Sequence, residues 1–312
     1  MVAIGTIEQG VVGMQRGHML IDAEVVPLAI PYLGSGVIID GGRGLILTND
    51  HVIRGLRRFL VSLPDGRQFE AEYVGGDRNN DLALLRVAER GLPDIPLGRS
   101  DDLMVGEWAL AIGNPFGNYI DDPEPTVTVG VISALHRDLR DQSTGRVYLD
   151  MIQTDASINP GNSGGALVNA HGELIGINTF IISTSGSSAD IGFAIPVDRI
   201  HRVVDDILEH GSVRPIYVDF HSRPYQRWMA ERQDQRWSPG AIVWEIDMNG
   251  PAARAGLRNG DVITQVNGER ITSSEELELY LFTLRVGEPI QLTVRRGGDE
   301  QVIEYTLVED RR

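Results

Sequence analysis

Ser163 sits between Gly161-Asn162 and Gly164-Gly165, inside the run from Gln153 to Ala166. Glycines let a backbone fold tightly and come close to a ligand. A tight turn here can aim the N–H groups of Gly161 and Ser163 at one point, which makes a pocket for the oxyanion of an acyl-transfer intermediate. An ordinary turn between strands has the same composition. A serine hydroxyl is a weak nucleophile until a neighbour takes its proton, and histidine suits that task near neutral pH. Of the seven histidines, His51 stands apart. It follows the apolar run Leu45–Thr48 and precedes Val52-Ile53, so it falls at a strand end, where a fixed ring can project into a cleft. A structural or solvated histidine is the plainer reading of that residue alone. Asp81 directly precedes the apolar run Leu82–Val87. Buried there, its carboxylate would accept the imidazole N–H, fix the tautomer and stabilise the imidazolium. A turn aspartate at a strand edge is the plainer reading of it.

The order His51, Asp81, Ser163 is that of chymotrypsin and differs from subtilisin and from the α/β-hydrolases. Gly161–Gly165 also fits the G-x-S-x-G elbow of the α/β-hydrolases, but that elbow needs a helix after the serine and its acid and base downstream. Ala166–Val168 and Leu174–Ile177 instead flank a His171-Gly172 turn and read as a hairpin.

Composition removes other chemistry. The 312 residues include 44 acidic and 28 basic ones, for a net charge of −16, and no Lys or Cys occurs. Schiff-base lysines, Ser-Lys dyads and phosphate-loop lysines are excluded, as are disulfides, cysteine nucleophiles and Cys-ligated metals. No cofactor or metal is called for. The acidic balance argues against nucleic-acid or anionic-membrane binding. Met1–Gly10 shows no basic start followed by an apolar stretch, so no signal peptide is expected there.

The elements that must position these residues are mostly short strands. The length suggests two domains. Gly34–Asp40 and Leu45–Thr48 read as a hairpin through Gly41-Gly42. Strands follow at 61–63, 69–74, 82–87, 108–112, 126–132, 165–168 and 174–178, a pattern for a barrel or sandwich. Leu135–Asp150 reads as a long charged loop containing Arg137 and Arg140. From Pro196 a helix is predicted, with Ile200, Val203, Val204 and Ile207 at i, i+3, i+4, i+7 and Gly211 as its stop. It closes a first domain, 1–211; the second is 212–312. Residues 222–239 are polar without a strong period. Ala241–Ile246 and Asp261–Val266 read as strands, with a hairpin turn at Asn267-Gly268. Pro251–Gly256 reads as one helical turn. Ser273–Leu284 reads as a helix with a capping box from Ser273 to Glu276, and Pro289–Arg295 and Gln301–Leu307 as closing strands.

The segments around His51, Asp81 and Ser163 resemble those of HtrA-type serine proteases, a branch of the chymotrypsin fold. So do Gly192–Pro196 and Gly113–Gly117, and the likeness runs from about Gly34 to Val308. It implies a double β-barrel protease domain followed by a PDZ domain, the latter carried by Pro251–Ile271. It implies an endopeptidase acting through an acyl-enzyme on unfolded polypeptides, a homotrimer, and an extracytoplasmic setting, with the cytoplasm as the other reading. A chaperone or adaptor that binds chains without cutting them is the alternative. Asn162 stands where trypsin-like enzymes carry an Asp that pairs with a new N-terminus, so zymogen activation by cleavage is not expected. Ser157 stands where enzymes cutting after Arg or Lys carry an acid, so small or medium aliphatic side chains are expected at the cleaved position. Thr179, Phe180 and Ile181 are expected to line the cleft, with main chain pairing to substrate. Arg137 is the expected regulatory relay. Tyr217-Val218-Asp219-Phe220 is the expected carboxylate loop of the PDZ domain, which would hold a C-terminal peptide. Asp219 replaces the usual glycine and is expected to repel that carboxylate.

Overall fold

The computed structural model describes residues 1–16, 19–114, 124–140, 147–159, 161–183, 190–232 and 237–311; of these, 6–16, 19–33, 140, 147, 181–183, 190 and 232 are described by backbone alone. The chain divides into two compact units, Met1–Val213 and Arg214–Arg312.

The first unit holds two closed six-stranded barrels. The first barrel uses β1 (Val2–Arg16), β2 (Met19–Asp40), β3 (Leu45–Thr48), β4 (Phe59–Ser62), β5 (Gln68–Asp77) and β6 (Leu82–Val87), with the one-turn helix α1 (Asp50–Ile53) after β3. The second uses β7 (Trp108–Gly113), β8 (Thr126–Arg140), β9 (Val147–Thr154), β10 (Ala166–Val168), β11 (Leu174–Ser183) and β12 (Asp190–Pro196). Helix α2 (Val197–His210) follows. Closure leaves neither sheet an unpaired edge strand.

The apolar run in β6 has a simple cause. Ala83, Leu85 and Val87 face the interior of the first barrel with Val2, Ile4 and Ile46. Leu82 and Leu84 face the other way, into a second cluster with Leu45 and Leu47. That cluster also takes Met151, Ala166, Ile177, Phe193 and Ile195 from the second barrel and Ile200, Val203, Val204 and Ile207 from α2. A strand buried on both faces has no polar face to show. The shared cluster locks the barrels to each other, and burying each large aliphatic side chain contributes roughly 1.5–3 kcal/mol.

Several elements differ from the sequence reading. The first hairpin begins at Val2, and Gly34–Asp40 is only the end of the 22-residue strand β2. Leu135–Asp150 is mostly hairpin, with β8 reaching Arg140 and β9 starting at Val147. The charges that suggested a loop lie on exposed strand faces, at His136, Arg137 and Asp138. Pro196 is the N-cap of α2 rather than its first residue, and Gly211 ends it at φ 80° with its N–H on the Ile207 carbonyl.

The second unit is one sheet, β13 (Phe220–Pro224), β14 (Ala241–Ile246), β15 (Val262–Val266), β17 (Pro289–Arg296) and β18 (Asp299–Thr306), with β16 (Glu269–Arg270) paired to β15. Helices α3 (Arg227–Arg232), α4 (Pro251–Arg254) and α5 (Ser274–Phe282) accompany it. The polar stretch 222–239 thus hides a strand and a short helix. Asn267 and Gly268 turn at φ 49° and 86°, the two positive angles a type I′ hairpin needs. Ser273 caps α5 by accepting the Glu276 N–H. Glu276 does not return the bond to Ser273; its carboxylate takes the N–H and hydroxyl of Thr272 instead.

Three of the four tryptophans, Trp228, Trp237 and Trp244, lie in the second unit, so their fluorescence reports its unfolding. Ser273→Ala is expected to lower its stability by about 1 kcal/mol in urea titrations, the usual cost of an N-cap. An unchanged midpoint would show that the cap contributes nothing.

Candidate active site

Strands β3 and β6 pair antiparallel, Thr48 opposite Ala83, so the residues leaving β3 lie beside those entering β6. Asp50 N–H donates to the Asp81 carbonyl at 3.2 Å. The next residue, His51, meets the Asp81 carboxylate twice: its N–H donates to Oδ1 at 3.1 Å, and Nδ1 lies 2.7 Å from Oδ2. Asp81 has no solvent exposure and holds a left-handed φ of 56°. A non-glycine residue keeps such a backbone only where the surroundings enforce it. Two bonds from one histidine fix the imidazole and orient its other nitrogen, Nε2, away from the acid. The His51 ring is 37% exposed, so that face is open.

Ser163 precedes β10 in the second barrel. Asn49, next to Thr48, reaches across the seam and donates to the Asp81 carbonyl at 2.9 Å and to Thr179 Oγ1 at 3.3 Å. The Ser163 hydroxyl donates to the carbonyl of that same Thr179 at 2.8 Å. All three candidates therefore sit on one polar seam between the barrels. In this state the hydroxyl is turned to Thr179 and makes no hydrogen bond to His51. Rotation about the Ser163 Cα–Cβ bond is the motion that would bring it round.

The turn carrying Ser163 is closed by its own backbone. Asn162 N–H donates to Asn159, Gly165 N–H to Asn162, and Gly164 N–H to Asn178, each at 2.8–2.9 Å. Gly161 stands at φ 94° and Gly164 at 82°, and a Cβ at Gly164 would lie 2.2 Å from the Ser35 carbonyl. Among the described residues, the N–H groups of Gly161 and Ser163 are the two in 161–165 without a partner. These are the two donors that the sequence assigned to an oxyanion. The Asn162 side chain is fully buried, with neither amide atom partnered among the described residues, and it packs on Gly113. Of the segment Gly113–Gly117, residues 115–117 lie outside the described residues.

The other expected positions are mixed. Thr179 is buried. Among the described residues, β11 beyond Asn178 is laddered to β12 alone, so no strand covers the other edge of Thr179–Ile181. The Phe180 ring is half-buried and packs between Tyr148 at 4.4 Å and Phe193 at 5.2 Å. The Ile181 side chain lies outside the described residues. Ser157 is exposed, and its carbonyl accepts Thr128 Oγ1. Sequence reasoning passed over its neighbour Ile158, which is buried against Gly192, where a Cβ would lie 2.7 Å from Ile158 Cδ1. Arg137 sits on β8, exposed, its Nε donating to Gln153 at 3.1 Å.

In the second unit, Tyr217 N–H donates to Val308 and its hydroxyl to Asp247, Val218 packs on the core, and Phe220 is buried as the first residue of edge strand β13. Asp219 corrects the expectation of a charge facing a ligand. Its carboxylate turns inward and accepts the Ala253 N–H at the start of α4. It lies where a Cβ on Gly250 would stand, which glycine alone permits.

Two barrels with a His–Asp pair and a glycine-braced serine on their seam define a chymotrypsin-like hydrolase architecture, here followed by a PDZ-type sheet. The trypsin-like peptidase domain family matches residues 34–177, and the PDZ domain family matches 218–307. The HtrA-type protease AlgW, solved with a decapeptide, is 37% identical; the match covers 100% of this chain and 96% of that one, with a TM-score of 0.77. A probable periplasmic serine endoprotease DegP-like from Halomonas elongata is 42% identical over 276 residues, 88% of this chain and 56% of that protein. The periplasmic serine endoprotease DegP of Salmonella typhimurium matches with the same identity and coverage. The chain thus spans a little over half the length of these curated relatives. It belongs to the HtrA family of serine proteases.

Burial lifts the Asp219 carboxyl above its ordinary value, against the bonds from the α4 backbone. The folded unit then holds this proton more tightly than the unfolded chain, so the associated stability is present at low pH and is lost as pH rises through the lifted pKa. Asp219→Asn keeps an acceptor for α4 and removes the charge. It is expected to raise the melting temperature of the second unit at pH 7 and to match the parent near about pH 3, below the ordinary aspartate pKa. A lower melting temperature at pH 7 would overturn this.

Proposed function

We propose that this chain is a serine endopeptidase that cuts unfolded polypeptides through an acyl-enzyme. The observation that carries the reading is the buried Asp81–His51 pair sharing one hydrogen-bonded seam with Ser163. In the reaction, Ser163 Oγ attacks the scissile carbonyl carbon while His51 Nε2 takes its proton. Asp81 holds the imidazole in the needed tautomer and stabilises its charged form. The carbonyl oxygen, now an anion, is received by the N–H groups of Gly161 and Ser163. The C–N bond then breaks, the amine leaves with the proton from His51, and water releases the acyl group by the reverse sequence.

Substrate main chain is read by the free edge at Thr179–Ile181, as an added strand. Phe180 contributes its backbone there, and its ring packs on Tyr148 and Phe193. Ser157 supplies no charge and Ile158 fills the space beside Gly192, which favours small or medium aliphatic residues at the cleaved position. Arg137 acts on activity through Gln153, the residue that opens the nucleophile segment. In the second unit, Tyr217, Val218, Asp219 and Phe220 precede and start the edge strand to which a peptide would add. With Asp219 turned onto α4, a C-terminal carboxylate at this loop is compatible with its charge. The names of the relatives support an extracytoplasmic location, and the family resemblance supports a homotrimer.

Casein digestion tests the reaction. Parent chain should degrade it and Ser163→Ala should not. Asp81→Asn should lose about 10⁴-fold in kcat, the cost of the wrong imidazole tautomer in a triad of this type. Degradation by Ser163→Ala would refute the assignment. Peptide anilides ending in Val or Ala should be cut faster than those ending in Arg, and the reverse order would refute the pocket. Arg137→Ala should lower peptide cleavage, and unchanged cleavage would remove Arg137 from regulation.

A further inference from the structure

Ser35 lies on β2 of the first barrel, opposite Ala3, and has no solvent exposure. In sequence it is an unremarkable serine between Gly34 and Gly36. In the fold it is the residue of the first barrel that grips the nucleophile turn. Its N–H donates to the Ser163 carbonyl at 2.8 Å. Its hydroxyl donates to the Gly161 carbonyl at 2.6 Å and accepts the Asn114 N–H at 2.7 Å. Its own carbonyl is fixed by Thr48 Oγ1 at 2.7 Å.

The consequence follows from the backbone groups of the turn. The carbonyls of Gly161 and Ser163 are both held by Ser35, and that of Asn162 by Gly165. The N–H groups of Asn162, Gly164 and Gly165 are bonded to Asn159, Asn178 and Asn162. Among the described residues, the donors left without a partner are those of Gly161 and Ser163. Ser35 therefore fastens the carbonyl side of the turn, and the two N–H groups are what the turn leaves over. Gly161, at φ 94°, has no Cβ to hold its conformation. Among the described residues its carbonyl has one partner, the Ser35 hydroxyl. Removing that hydroxyl orphans the Gly161 carbonyl, and a change of the Gly161 backbone angles, which no Cβ resists, is the relief open to it.

We infer that Ser35 is a positioning residue for the oxyanion turn: its hydroxyl sets the conformation of Gly161 and so readies the donors that receive the transition-state charge. It touches neither substrate nor reacting atoms. The inference rests on the reading of Ser163 as the acyl-forming nucleophile.

The test uses the full chain, the Ser35→Ala variant and the nearly isosteric Ser35→Cys, which keeps the volume with a weak donor. Each is measured for folding by circular dichroism, for kcat and KM on a Val-ending peptide anilide, and for binding of a peptide aldehyde and the matching peptide alcohol. The aldehyde forms a hemiacetal with Ser163 and needs the oxyanion donors; the alcohol does not. Folded Ser35→Ala should lose about tenfold to a hundredfold in kcat, less than removal of a donor itself, with KM within about twofold. Aldehyde affinity should fall by a similar factor and alcohol affinity should hold; Ser35→Cys should lie between Ser35→Ala and parent. Parental kcat in folded Ser35→Ala overturns the inference. So does a parallel loss of aldehyde and alcohol binding, or failure of both variants to fold, since each marks a purely structural role. A parent chain that neither hydrolyses the anilide nor reacts with a fluorophosphonate at Ser163 refutes the protease reading itself, and is told apart from these by the parent alone.

Discussion

The Asp81 carboxylate is the constraint around which the first unit is arranged. A charge with no solvent exposure is costly unless hydrogen-bonded groups replace the water it has lost. His51 supplies two of them, one from its backbone and one from its ring. Both depend on β3 and β6 lying side by side in a fixed register. A shift of one residue would turn Leu82 and Leu84 out of the shared core and Asp81 out of reach of His51. The barrel, the inter-barrel cluster and the orientation of the imidazole are therefore consequences of one pairing.

The seam around this pair is polar where most of the interior is aliphatic. Ser35, Thr48, Asn49, Asn162, Asn178 and Thr179 are all buried there. The hydrogen bonds of Ser35 to Gly161, Ser163 and Asn114, and of Asn49 to Thr179, run between barrels, so they transmit the position of one barrel to the serine turn of the other. The Ser163 hydroxyl is part of this network through Thr179. A hydroxyl held by a neutral carbonyl is restrained until it rotates toward the imidazole. In the proposed mechanism the His51–Asp81 pair is assembled while Ser163 waits on a single torsion.

The second unit shows how one side chain can be misread from sequence. An aspartate in place of glycine suggests repulsion of a bound carboxylate. In the fold the same side chain is folded back on α4, where the backbone N–H of Ala253 takes it. Gly250 makes that possible by leaving the space empty. The charge therefore weighs on the stability of the unit rather than facing a ligand.

The sequence alone picked out the residues that the structure brings to one seam, and much of the scaffold. Ser163 in its glycine turn, His51 after an apolar strand and Asp81 before another were legible because the proposed nucleophile, base and acid each need a particular residue type at a particular edge. Helix α2 and the Asn267-Gly268 hairpin were legible because periodicity and positive-φ demands are local properties. The long first hairpin and the strand nature of Leu135–Arg140 were not; in the latter the exposed His136, Arg137 and Asp138 carry charges that read as loop. Tertiary structure decided where the hydroxyl of Ser163 rests, that Phe180 packs on Tyr148, that Ile158 rather than Ser157 fills the space beside Gly192, and that Ser35 grips the nucleophile turn. Each of these depends on a neighbour more than 15 residues away, brought close when the second barrel closes or, for Ser35, when the two barrels meet, and no local pattern of residue types encodes that distance.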